Sequence, residues 1–183
     1  MEKREYIITE LEKINLTPEQ ILSHSFDDEI KNRLSKVVEV EYPITINLLF
    51  KRVLNSLGLE KLGSRLDEYF NNIVKETNLF SKLEIDKIVY YPNENAKCNY
   101  FRPSVEGARY SYQIPIIEGV NCIIYILERS NKSFYKTELL NQFAKEFNYE
   151  RKGSQVVQLF ENSRVMAKSI NAIKESGNHK ILL

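Results

Sequence analysis

Gln155, Gln158 and Asn162 recur at i, i+3 and i+7, a spacing that sets three amides along one face of a helix. Side-chain amides pair with base edges, so this row is a candidate reading surface for nucleic acid. Four cations flank it, Arg151, Lys152, Arg164 and Lys168, and such groups neutralise backbone phosphates. Ser154 and Gln155 fall at the expected N-terminus of that helix, where side-chain donors and the positive end of the helix dipole can hold a phosphate. The competing reading is a solvated helix face, which is polar wherever it occurs. Upstream, residues 92–115 interleave rings with cations: Lys97, Tyr100, Phe101, Arg102, Arg109, Tyr110 and Tyr112. That mixture suits phosphate contact combined with base stacking. Rings that fill a groove between two units, with arginines reaching out to solvent, would give the same pattern.

Catalysis has no comparable constellation. The histidines, His24 and His179, lie far apart in the chain, each without a ligand-spaced neighbour. No glycine-rich phosphate loop, nucleophile elbow or HExxH motif occurs. Asp27, Asp28 and Glu29 sit where a helix N-terminus favours negative charge, so they need no metal to explain them. Cys98 and Cys122 lack CxxC spacing and read as free thiols. The expectation is a non-enzyme without metal or cofactor. No apolar run approaches the ~18–20 residues that span a bilayer, and the charged N-terminus does not resemble a signal peptide, so a cytoplasmic protein is expected. The net charge of +1 divides unevenly. Residues 1–86 hold 12 Lys/Arg against 16 Asp/Glu, whereas residues 132–183 hold 9 against 5. Such asymmetry concerns partners, and it points to nucleic acid for the C-terminal part only.

The elements that would position these groups come from an internal repeat. Shifted by 90 residues, Asp28–Asn72 matches Glu118–Asn162 without a gap. Leu49, Phe50, Val53, Leu54 and Leu57 align with Leu139, Leu140, Phe143, Ala144 and Phe147, and Gly58 aligns with Asn148. Gly and Asn are the residues that most readily take the left-handed conformation ending a helix. Each copy reads as three helices, the third presented as in a helix-turn-helix, and the first copy continues into a strand pair over residues 79–91. In the second copy a turn at Glu175–Asn178 precedes a last strand, His179–Leu183. The predicted fold is therefore mainly α with small β elements, two winged-helix-like units at 27–91 and 116–183 joined by a connector at 92–115. Residues 1–26 form a helical extension, with an amphipathic helix over 2–14 (Tyr6, Ile7, Leu11, Ile14) and a capping box at Thr17–Gln20. On the third helix of the first unit, Asp67 and Glu68 stand where a DNA reader needs cations, and only Lys61 and Arg65 are favourable. That face suits docking onto protein.

The stretches VVEVEYPITINLLFKRVLNSLGLEKLGSRL and IPIIEGVNCIIYIL…ELLNQFAKEFNYERKGSQV carry a resemblance to a known family. Over residues 30–175 the chain resembles a bacterial domain of unknown function at the C-terminus of very large proteins that also carry a superfamily I helicase and a Vsr-like nuclease. Tyr42 stands where the family pattern has Gly, and Asn148 where it prefers Gly. The resemblance implies a non-catalytic accessory module for handling DNA, with helicase or nuclease domains as partners. The helicase and nuclease signatures themselves are absent from this sequence.

Overall fold

The computed structural model describes residues 1–105, 109–176 and 180–183. Gly107 of the connector, and Gly177, Asn178 and His179 of the expected turn and strand start, lie outside the described residues. In chain order the elements are β1 (Glu2–Lys3), α1 (Pro18–Leu22), α2 (Asp27–Glu41), β2 (Ile44–Thr45), α3 (Ile46–Ser56), α4 (Ser64–Ile73), β3 (Phe80–Glu84), β4 (Lys87–Tyr91), β5 (Tyr100–Phe101), α5 (Ile116–Ser130), β6 (Phe134–Tyr135), α6 (Lys136–Glu146), α7 (Ser154–Ser169), β7 (Lys174–Glu175) and β8 (Lys180–Leu182). Single 3₁₀ turns occupy Val74–Glu76 and Ser111–Gln113. The architecture is mainly α with small β elements. The chain divides into two compact units, an N-terminal one of residues 7–83 and 88–96 and a C-terminal one of residues 1–6, 84–87 and 97–183.

Residues 2–14 do not form the expected helix. Their backbone donors are claimed from outside: Glu2 N–H donates to Asn99 O at 3.2 Å and Arg4 N–H to Phe101 O at 2.9 Å, within the parallel β1–β5 pair. Ile14 and Leu16 N–H donate to Ser56 O and Leu57 O. A helix would have to satisfy these groups internally, and the stripe that suggested one is not buried as a unit: Tyr6 is buried but Ile7 is 64% exposed. The following helix starts as expected. Thr17 Oγ1 accepts from Gln20 N–H, and Gln20 Oε1 accepts from Thr17 N–H.

In the N-terminal unit α2 packs on α3, burying Ile30, Leu34, Val37, Leu49, Val53 and Phe70 completely. Tyr42 is extended before Pro43, which ends α2 where the sequence places its stop. The sheet runs β2-β4-β3, with Ile44 opposite Tyr90 and Thr45 opposite Val89. Thr45 occupies the N-cap of α3, but its side chain does not bond the helix. Gly58 ends α3 at φ +78°, and a Cβ there would stand 2.5 Å from Asn15 Oδ1.

In the C-terminal unit α5 is the central helix, packed on α6 and α7. Leu139, Phe143, Phe147 and Phe160 are fully buried around it. Gly119 lets α5 approach α7 closely, because a Cβ there would meet Ser163 Oγ at 1.9 Å. Ser163 is itself fully buried and donates to Leu159 O at 2.7 Å. The sheet runs β6-β8-β7, with Phe134 opposite Ile181 and Lys174 opposite Leu182.

Candidate nucleic-acid interface

The loop after α6 turns on Asn148, whose φ of +61° is the left-handed conformation expected at that helix end. Tyr149 N–H then reaches back to Ala144 O at 2.8 Å, closing the turn that delivers Arg151 and Lys152 to the start of α7. Gly153 is the extended N-cap of α7, and no side chain caps the helix. Val156 N–H donates to Gly153 O at 3.0 Å, which leaves the N–H groups of Ser154 and Gln155 to face an anion beside the positive dipole end. Arg151, Lys152, Ser154 and Gln155 are all exposed. Neither Arg151 nor Lys152 has a carboxylate partner among the described residues, and Lys152 Nζ bonds the neutral Asn141 Oδ1.

Further along α7 the expected surface is engaged elsewhere. Gln158 Nε2 donates to Asn162 Oδ1 at 2.9 Å, and Asn162 Nδ2 donates to Asp86 Oδ1 at 3.3 Å. Two of the three amides are thus paired, and a carboxylate stands at the end of their row. Arg164 is held by Glu161, at 3.0 Å from Nη2, and by Glu175. Lys168 contacts Glu175 at 3.1 Å, and Lys136 contacts Glu161 at 2.7 Å. The cations around Glu161 and Glu175 hold both carboxylates below their ordinary range despite burial. The unbalanced positive charge of this helix is therefore confined to its N-terminal end. Glu161 at i−3 from Arg164 was legible from spacing; Asp86 and Glu175 carried no local signal.

Arg102 and Arg109 require a correction. Both were candidates for phosphate contact, yet each is only 4% exposed and both guanidiniums close on the fully buried Glu118. Arg102 Nη2 donates to Glu118 Oε1 at 2.6 Å, while Arg109 donates to the two carboxylate oxygens at 2.7 and 2.8 Å. Arg102 N–H adds a further bond at 2.9 Å. Tyr6 lies beneath, its ring centroid 5.0 Å from the Arg102 guanidinium carbon and 4.3 Å from that of Arg109. Burial pushes the Glu118 carboxyl up, but the two arginines outweigh it and hold it down at about 2. These cations are structural ones, shielded from any phosphate. Tyr100 and Phe101 are likewise buried, whereas Tyr110 and Tyr112 remain about half exposed.

In the N-terminal unit Asp67, Glu68 and Arg65 are exposed on the first turns of α4, and Lys61 is exposed in the loop before it. Beside them lies a cavity of about 210 Å³ lined by His24, Asp27, Arg65, Glu68, Tyr69 and apolar neighbours. Asp27 accepts from the Tyr69 hydroxyl at 2.5 Å and pairs with His24 Nδ1 at 3.1 Å. Burial works against the Asp27 carboxylate, but these two bonds outweigh it and lower its pKa. The acidic helix start thus holds an aromatic residue 42 positions away, a contact that sequence spacing does not reveal. Cys98 and Cys122 are free thiols. Among the described residues no cluster of His, Cys, Asp or Glu could hold a metal ion, and no helix is long and apolar enough to cross a membrane. No protein-family model, curated protein or solved structure matches the chain.

Proposed function

We propose that the chain is a non-catalytic nucleic-acid-binding accessory module built from two winged-helix-like units related by an internal repeat. Supporting the repeat, α3 and α6 are each 11 residues long, and Ile46 and Lys136, which open them, are 90 positions apart. Both end through the same bonds: Leu59 N–H to Leu54 O and Tyr149 N–H to Ala144 O. The three-stranded sheets also correspond in order, β2-β4-β3 and β6-β8-β7. A short strand before the second helix, paired with one arm of a later hairpin, is the arrangement of a wing.

The observation that carries the binding reading is the uncapped start of α7, with exposed Arg151, Lys152, Ser154 and Gln155 and no carboxylate on either cation among the described residues. Cations placed beside free helix N–H groups attract phosphates, and the attraction is relieved by salt. The resemblance to the tail domain of helicase–nuclease proteins supports DNA as the nucleic acid and such domains as neighbours in a bacterial DNA-processing system. The matching face of the N-terminal unit carries Asp67 and Glu68, exposed and without an ion pair among the described residues, which favours protein docking there. The test is an anisotropy titration of the whole chain with duplex DNA, single-stranded DNA and RNA at low and high salt. Salt-sensitive binding to at least one of them is expected. Absence of binding to all three at low salt would overturn the reading.

A further inference from the structure

We infer that Tyr110 and Tyr112 form a base-stacking platform, so that the nucleic acid this surface takes is single-stranded rather than duplex; the inference rests on the binding reading above. The two rings lie nearly parallel, 8° apart with centroids separated by 5.7 Å, in the offset arrangement that bases adopt on aromatic side chains. Tyr110 is 54% and Tyr112 46% exposed, an unusual solvent exposure for adjacent large rings in a unit that buries its other connector aromatics.

Their position ties them to the cations. The turn Ser111–Gln113 packs against α7. The same α7 is entered through Tyr149, two residues before Arg151, whose hydroxyl accepts from Ser104 Oγ at 2.6 Å. The stack thus flanks a turn packed on the helix whose uncapped start offers Arg151, Lys152 and Ser154, so rings for bases accompany cations for the backbone that links them.

The remainder of α7 argues against a duplex. A duplex laid along the helix would need cations at both ends, but Arg164 and Lys168 are taken by Glu161 and Glu175. Asp86, bonded to Asn162, sets a negative charge where a groove edge would lie. A single strand crossing at the N-terminal end meets the rings and two cations, Arg151 and Lys152, against one exposed carboxylate, Glu150. Stacking of this kind is tolerant of sequence, since every base offers a π-face.

The experiment compares labelled oligothymidylate with a duplex of equal length, using the full chain and its Tyr110→Ala, Tyr112→Ala, Tyr110→Phe and Tyr112→Phe variants. Circular dichroism melts check that each variant is folded. Wild type is expected to bind the single strand more tightly than the duplex. Each Ala variant is expected to weaken single-strand binding by about 5- to 150-fold, the range that stacking contributions convert to, with duplex binding unchanged. The Phe variants keep the ring and are expected to stay near wild type. Tighter duplex binding, or single-strand binding indifferent to both Ala variants, overturns the platform while leaving nucleic-acid binding intact. No binding of either probe or of single-stranded RNA removes the underlying reading as well.

Discussion

Replacing Glu118 with Gln removes one negative charge from a site that water does not reach. The carboxylate accepts from Arg102 N, Nε and Nη2 at 2.9, 3.2 and 2.6 Å and from Arg109 Nη1 and Nη2 at 2.7 and 2.8 Å. Gln keeps the shape, but it presents an NH₂ group to a cluster composed of donors and leaves two buried cations without their counter-charge. Breaking a buried pair by altering one partner costs about 3–5 kcal/mol. With a urea slope of ~2 kcal/mol per molar, the unfolding midpoint should fall by roughly 1.5–2.5 M, followed by far-UV circular dichroism. Replacing the whole cluster with apolar residues (Arg102→Met, Arg109→Met, Glu118→Leu) should be far milder, because no buried charge then stays unpaired. The same cluster sets an acid dependence. The folded-state carboxyl, at about 2, lies below its ordinary 4.5, so its stabilisation is complete above pH 4.5 and drains away as pH falls towards 2. A loss below about 1 kcal/mol for Glu118→Gln at pH 7, or equal acid sensitivity in the triple variant, would refute this account of the cluster.

Gly58→Ala should destabilise the N-terminal unit by about 1–2 kcal/mol or more, since φ is +78° and the added Cβ would press on Asn15, and a urea titration reads the loss. Lys87 donates to Ile114 O at 2.7 Å, and burial lowers its pKa to about 8 from 10.5. The unfolded chain thus binds more protons between these values, and the Lys87 contribution to stability should rise with pH from about 8 upward. The stability difference between Lys87→Met and wild type should therefore favour the variant most at pH 7 and shrink by pH 9.5, as seen in parallel melts.

Helix spacing and end signals were legible because they are local. Leu49, Val53, Leu139 and Phe143 recur at helical intervals and are fully buried, and Gly58 and Asn148 have the positive φ that their residue types favour. Residues 2–14 have an equally helical pattern, but Asn99, Phe101 and Ser56 supply backbone partners that no window of sequence contains. Arg102 and Arg109 looked like phosphate ligands because their type and loop setting suit that role. Their counter-ion, Glu118, lies 16 and 9 positions away in the first turn of α5, where an acidic residue is ordinary. The ion pairs of Arg164 and Lys168 were hidden for the same reason, with Glu175 reaching them from β7. The start of α7 was readable since Gly153-Ser154 and the amide spacing are both local signals.

Paired charge reversal tests the proposed placement of nucleic acid at the N-terminal end of α7. Arg151→Glu with Lys152→Glu should abolish binding of the preferred oligonucleotide, or reduce the magnitude of its log–log salt slope by about 2 if residual binding is measurable. Arg164→Glu with Lys168→Glu, on cations already neutralised by Glu161 and Glu175, should change the slope by well under that amount. Binding that survives the first pair and is lost with the second would contradict the account.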